Sequence, residues 1–359
     1  MNDLRVLEAI TPSKIGGAEV FVANLCESLP ALGAHVELFI PSGRPFVGYM
    51  ADRGIPAVTW KTHGKLDLLT ILRLASLIKR TNADIIHTHL STASLLGALA
   101  AKLAGKPSVA HVHGLNTATC FTYSTLVIAV SNAVKQHLCA QGLDPNKIRV
   151  VHNGVDIQKF EPVNSADAKL KLGYDAKSPL FGVFGRLSSE KGQRVAIEAM
   201  FLLLKDYPTA RLVLAGDGKD LDDLKTTAQA LGITENIQFA GFANDIRCLM
   251  SACDAIIVPS LKEGFGLAAV EAMALERPVV ASAIGGLNEI VLPNETGFLV
   301  APNDPNIIAE SIKQIIKDPI LAESMGKRGR ARVEESFNLP KQMQQVFSIL
   351  SEAACRSKK

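Results

Sequence analysis

Aromatic residues are scarce: Phe, Trp and Tyr make up 5% of the 359 residues, with a single Trp. A carbohydrate-binding module or a single-strand binder built on stacked rings is therefore not expected. Cysteine offers no covalent frame either. Cys26, Cys120, Cys139, Cys248, Cys253 and Cys355 form no C-x-x-C pair, and with no signal peptide at the start they read as reduced thiols of a cytoplasmic protein. Long apolar runs are missing; Leu95–Ala101 and Ala255–Pro259 are far too short to cross a bilayer. There is also no dense block of Lys and Arg. The one charge bias is that residues 1–155 carry 14 Lys/Arg against 9 Asp/Glu, whereas residues 156–359 carry 24 against 26, which together give the net +3. A phosphorylated acceptor, an acidic membrane face or nucleic acid would answer to the basic half; a scatter of solvated charges would also produce it.

Apolar residues at 48% and charged residues at 20% are those of a globular chain long enough for two cores. Strand-like runs at Leu4–Ile10, His35–Ile40, Asp84–Thr88, Ser108–Val112, Leu126–Val130 and Ile148–Val151 alternate with amphipathic stretches such as Ala18–Leu29, Leu66–Lys79 and Ser131–Gln141. The pattern restarts with Leu180–Phe184, Arg211–Ala215, Ile237–Phe239, Ala255–Val258 and Pro278–Ala281, separated by helical stretches including Arg194–Lys205, Leu221–Leu231 and Leu267–Leu275. Between the two series, Asn153–Leu172 has the chemistry of a linker, and after residue 304 the segments are all helical, ending in Lys341–Ala354. The expectation is α/β: two doubly wound, Rossmann-like parallel-sheet domains with a cleft between them. Ligands of such sheets bind beyond the carboxyl ends of the strands.

The loops at those ends carry the chemistry. After Ala255–Val258 comes Glu263-Gly264-Phe265-Gly266-Leu267, with Glu271 about one turn into the following helix. Glycines that admit a close backbone approach, ahead of a helix N-terminus, suit a phosphate. The flanking carboxylates need partners of their own, which the hydroxyls of a sugar and a ribose would supply. Alternatively the glycines only make a tight turn. A dinucleotide fingerprint is disfavoured, because no acidic residue ends Pro278–Ala283. Arg186 and Lys191, in the loop after Leu180–Phe184, would neutralise a diphosphate, and Gly216 in Ala215-Gly-Asp-Gly218 would lie against a base or ribose.

In the first half, Gly16 and Gly17 precede a helix starting at about Ala18 and suit an anion or a flexible turn. His87-Thr-His89 and His111-Val-His113-Gly114 end two strands, each pair sharing a face. A metal is one reading, but no carboxylate or thiol is visibly placed with them, so ordinary buried histidines are favoured, with His113 the best cleft residue.

Gly16-Gly17-Ala18-Glu19, His113-Gly114, Asn153-Gly-Val-Asp156, Gly185-Arg186…Lys191-Gly192, Ala215-Gly-Asp-Gly218 and Glu263-Gly-Phe-Gly-Leu…Glu271 occur in that order. Over nearly its whole length the chain resembles the family-four glycosyltransferases of the GT-B fold. The resemblance implies a retaining transferase that needs no metal and no cofactor. Its donor would be a nucleotide-diphospho-sugar, UDP- or GDP-linked, bound mainly by the second domain. It implies Arg186 and Lys191 on the diphosphate, Glu263 and the backbone of Gly264, Phe265, Gly266 and Leu267 on the sugar, and Glu271 on the ribose. His113 would touch the sugar and Gly16 and Gly17 the phosphates. The implied domains are residues 1–155 on the acceptor side, 156–338 on the donor side, and a helix at 339–359 crossing back to the first.

No carboxylate in these motifs is an obvious nucleophile, so same-face attack, with the leaving phosphate taking the acceptor's proton, is the expected route. The resemblance further implies a glycan or lipid-linked acceptor, surface polysaccharide, lipopolysaccharide or glycolipid as product, and peripheral contact with the anionic inner face of the membrane; nucleic acid is not expected. The chain departs from the family in the short segment Leu115–Leu126, which leaves no room for an extra helix, and in Asn288, where relatives commonly carry Pro. Asp220 and Asp222 read as a solvated helix start rather than a metal-binding pair. Rival readings are a sugar-nucleotide epimerase, with His113 and Glu263 as acid and base, and a non-catalytic sugar-nucleotide-binding subunit.

Overall fold

The structure is a computed structural model and describes residues 4–242 and 245–356. Its chain divides into two units, Met1–Asn153 with Pro340–Lys359, and Gly154–Leu339.

In the first unit the strands are β1 (Leu4–Ile10), β2 (Ala34–Pro41), β3 (Val58–Trp60), β4 (Ile85–His89), β5 (Ser108–Val112), β6 (Leu126–Ala129) and β7 (Ile148–Val150). They form one parallel sheet in the order β3-β2-β1-β4-β5-β6-β7. Helices α1 (Gly17–Ser28), α2 (Pro45–Ala51), α3 (Leu68–Arg80), α4 (Ser91–Ala104) and α5 (Asn132–Ala140) cover it. Period-two alternation on β1 sorts the two faces. Leu7 and Ala9 join Leu74, Ile78, Ile86 and Leu96 in the core under α3 and α4, whereas Ile10 joins Val22, Cys26, Phe46 and Met50 under α1 and α2.

The second unit opens with α6 (Ser165–Lys171). Asn164 starts this helix by accepting from Ala166 N and Asp167 N, so the stretch expected to be linker holds a capped helix. Its sheet is β10-β9-β8-β11-β12-β13, all parallel, built from β8 (Leu180–Phe184), β9 (Arg211–Ala215), β10 (Ile237–Gly241), β11 (Ala255–Val258), β12 (Val279–Ser282) and β13 (Gly297–Val300). The intervening helices are α7 (Gln193–Leu203), α8 (Leu221–Ala230), α9 (Arg247–Ala252), α10 (Leu267–Ala274) and α11 (Leu287–Ile290), followed by α12 (Pro305–Lys317) and α13 (Pro319–Ser336). Asp304 and Asp318 cap the last two, each with a proline at the first helical position, where the missing N–H costs nothing.

The chain's last helix, α14 (Leu339–Arg356), falls within the first unit from Pro340 onward; it buries Met343, Val346, Leu350 and Ala353, and its Glu352 pairs with Arg149 of β7. Both sheets are doubly wound, with their strand order reversing between β1 and β4 and between β8 and β11. Loops leaving the carboxyl ends of those strands diverge and leave a crevice. The short strands β3 and β13 extend each sheet beyond the runs visible in sequence.

Candidate active site

At the switch point of the second sheet, the loop after β8 meets the loop after β11. Lys191 Nζ lies 2.6 Å from Glu263 Oε2, and Ser260 Oγ donates to the same oxygen at 3.0 Å. Ser260 is buried and the Glu263 side chain is only 10% exposed. Backbone bonds fix the approach: Leu261 N and Lys262 N both donate to Glu190 O, at 2.7 and 3.1 Å. Arg186 is a freer cation, half exposed, 3.8 Å from Glu190 Oε2 across one turn. Its loop is held from beneath by Gln193, whose Nε2 donates to Arg186 O at 2.8 Å and whose Oε1 accepts from Ser188 N. The structure thus brings Lys191 and Glu263 together as an ion pair and leaves Arg186 beside them, unpaired with either.

Two glycines make this packing possible. Gly216 has φ +144, and a Cβ there would collide with the carbonyl oxygen of Gly185; the loop after β9 therefore lies directly on the loop after β8, joined by Gly185 N to Ala215 O and Leu187 N to Asp217 O, both 2.9 Å. Gly266 has φ +113 and caps α10 with no side-chain bond, so the first N–H groups of that helix have no capping side chain. They leave a positive helix end beside Phe265 and Leu267. Glu271 sits in the second turn of α10, where burial pushes its pKa up to about 8. Among the described residues its carboxyl has no hydrogen-bond partner. Asp220 and Asp222 open α8, with Asp220 at the cap.

In the first unit, Gly16 is the cap of α1 and Gly17 its first residue, one earlier than expected; Gly16 N donates to Glu19 Oε2 at 3.0 Å. The four histidines converge on one face, and, contrary to expectation, a carboxylate is placed with them. Register sets Glu8 of β1 opposite His87 of β4. His87 Nδ1 lies 3.0 Å from Glu8 Oε1 and His89 Nε2 lies 2.8 Å from Glu8 Oε2, all three side chains fully buried. His89 Nδ1 then meets His113 Nε2 at 3.0 Å, and His113 stacks on His111 at 4.6 Å.

In the tautomer in which His89 Nε2–H donates to Glu8 Oε2, His89 presents its Nδ1 lone pair to the His113 Nε2–H. That leaves His113 Nδ1 as an acceptor with no partner among the described residues. Burial, reinforced by His87, lowers the His113 pKa to about 3, so its ring is neutral at physiological pH. One ring nitrogen each of His87, His89 and His111 lie within 4.8 Å of one another, a grouping a metal could use. Two of the three rings already spend a nitrogen on Glu8. Sequence reasoning missed Glu8; its signal was a lone acid within the apolar run Val6–Ile10. It also missed Leu90, which ends the His87–His89 strand at φ +69, ψ 154, a backbone conformation rarely adopted by residues other than glycine.

Comparison with known proteins adds three findings. Residues 165–332 match the family model described as glycosyl transferases group 1, and residues 15–159 match that of glycosyltransferase family 4. The chain is 30% identical over 350 residues, 90% of each chain, to an Escherichia coli UDP-Gal:alpha-D-GlcNAc-diphosphoundecaprenol alpha-1,3-galactosyltransferase. It is 29% identical to a Frankia alni D-inositol 3-phosphate glycosyltransferase, covering 85% of this chain and 86% of that one. Among solved structures, Anabaena HepE in complex with UDP-glucose superposes with a TM-score of 0.86 at 27% identity, over 97% of this chain and 100% of that one.

Proposed function

The chain belongs to glycosyltransferase family 4, and from that premise we propose that it moves a sugar from a UDP-sugar to a glycan or lipid-linked hydroxyl, retaining the anomeric configuration and needing no metal. The observation that carries the reading is the Lys191–Glu263 pair beside Arg186, at a switch point and next to the open N-terminus of α10. Relatives support the donor: the E. coli enzyme is named for UDP-Gal, and HepE was solved with UDP-glucose. The E. coli name also supports a diphosphoundecaprenol-type acceptor, and with it surface polysaccharide, lipopolysaccharide or glycolipid synthesis at the cytoplasmic face of an anionic membrane.

Breaking the anomeric C–O bond leaves negative charge on the diphosphate. Lys191, Arg186 and the α10 N–H groups would meet that charge as it develops and so favour the transition state over the ground state. Lys191 would then be shared with the diphosphate, and Glu263, still bonded to Ser260, would accept sugar hydroxyls. Gly216 and Glu271 would hold base and ribose. From the first unit, Gly16 and Gly17 would meet the phosphates and His113 the sugar. Glu263 is committed to Lys191 and Glu271 is protonated in the free enzyme, so neither is a ready nucleophile. The acceptor oxygen forms its bond on the face the phosphate leaves, and its proton passes to the departing phosphate oxygen.

UDP release from a panel of UDP-sugars, with and without a lipid-linked acceptor extract, tests this. Lys191→Ala and Glu263→Ala are each expected to cost ~3 kcal/mol of barrier, on the order of a hundredfold in turnover. Conversion of the donor's sugar without UDP release would instead establish an epimerase.

A further inference from the structure

The first turn of α3 carries a surface that neither the donor site nor the core uses. Leu66, Leu68, Leu69 and Leu72 are 89%, 74%, 53% and 57% exposed. A single exposed leucine is ordinary; four within seven residues, on a helix whose other face is already buried through Leu74, Leu77 and Ile78, form a patch. Lys61, Lys65 and Arg73 surround it, all exposed. The one acid between residues 61 and 80 is turned inward: Asp67 is buried, its carboxylate accepting from Thr70 N, Thr70 Oγ1 and His63 N at 2.8–2.9 Å. Lys61, Lys65 and Arg73 thus face solvent, and among the described residues none of them forms an ion pair.

The patch is rigidly placed. Trp60 Nε1, at the end of β3, donates to Thr70 Oγ1 at 3.2 Å, which fixes the start of α3 at the carboxyl edge of the first sheet. Lys65 Nζ reaches Cys120 Sγ at 3.5 Å, so the segment after β5, including Tyr123 at 59% exposure, lies alongside. The same sheet edge carries Gly16 and His113.

We propose that this surface docks the first unit on a bilayer rich in anionic lipid, with the leucines entering the acyl boundary and Lys61, Lys65 and Arg73 on the headgroups. Apolar side chains in the centre, basic ones at the rim and an aromatic hydroxyl at the side are the arrangement an anionic interface rewards. A docked first unit would present the edge bearing His113 to a membrane-held acceptor; that purpose rests on the transferase reading above, whereas the docking itself does not.

The test is flotation of the full chain with phosphatidylglycerol-rich vesicles and with phosphatidylcholine vesicles, at low and high salt, with UDP affinity and melting temperature measured beside it. Wild type is expected to float with the anionic vesicles and to be released by salt. Leu66→Ser with Leu68→Ser should weaken that partition about tenfold, and Lys61→Glu with Lys65→Glu should abolish the preference for anionic lipid. All four positions are exposed and outside the donor site, so UDP affinity and melting temperature should stay as in wild type. Failure of wild type to float, or flotation of both variants as wild type, overturns the proposal. Normal flotation without turnover of any donor supports docking and overturns the transferase reading alone.

Discussion

Glu271 makes the residue-scale chemistry of the donor site measurable by pH. Its carboxyl, raised to about 8 by burial, is protonated in the free enzyme at neutral pH. An unfolded glutamate ionises near 4.3. Between those values the folded chain holds a proton that the unfolded chain releases, so this residue costs stability progressively as pH rises from about 4.3 to about 8. Glu271→Gln is therefore expected to raise the melting temperature more at pH 8 than at pH 5. Ligand binding should run the other way. A ribose diol donates two hydroxyl protons, which only the ionised carboxylate accepts in full. The ratio of wild-type to Glu271→Gln affinity for UDP should grow from pH 6.5 to pH 8.5, since titration of the diphosphate itself is common to both proteins. A ratio that stays flat would remove Glu271 from the ribose.

At the scale of elements, the donor site is a stack of three loops, and one close joint in it is Gly216 against Gly185. Gly216→Ala puts a methyl into the Gly185 carbonyl and strains a left-handed φ, so it should destabilise the second unit by about 2 kcal/mol or more and loosen the Arg186 loop. Calorimetry with UDP titration checks both effects. Gly48→Ala is the control: it lies within α2 with open space around it, and should be neutral or slightly stabilising.

This joint also marks how far the sequence could be read. Strands β1, β5, β8, β9 and β11 were legible to the residue, because strands buried on both faces are near-continuous apolar runs. β3 and β13 were not: β3 is a partly exposed edge strand with Thr59 between Val58 and Trp60, and β13 is an edge strand that opens on Gly297, so neither stands out as an apolar run. α6 was hidden because a seven-residue helix with four charged or polar positions looks like a loop until Asn164 is seen to cap it. The motif residues Arg186, Lys191, Glu263 and Glu271 were visible individually. The Lys191–Glu263 pairing and the Glu8 carboxylate beneath the histidines were not, since both depend on which strands lie side by side, and that relation spans 72 and 79 residues of chain.

For the whole molecule, the two units should respond to acid with opposite sign. In the first, burial holds His89 and His111 well below the ordinary histidine pKa, aided by the neighbouring histidines, and lowers His113 to about 3. Their unfolded counterparts take up protons near 6.5. Below that pH the unfolded chain binds protons that the fold refuses, so the stability these rings contribute is complete above 6.5 and is lost as pH falls toward the depressed values. Each ring adds a slope of about 1.4 kcal/mol per pH unit once its unfolded form is protonated, and three rings about 4. In the second unit Glu271 works in reverse, gaining stability as pH falls from 8 toward 4.3. Two thermal transitions are therefore expected to diverge between pH 7 and pH 5, the histidine-bearing unit melting earlier and the donor-binding unit holding or rising. His111→Phe assigns them. Neither nitrogen of His111 has a partner among the described residues and its ring packs edge-on against Phe21 at 4.5 Å, so an aromatic replacement keeps the packing and removes one titration. It should take about a third from the acid slope of the earlier transition and leave the later one where it was. An unchanged slope would mean that His111 protonates in the folded chain as readily as in the unfolded one, and that the ring cluster is open to water.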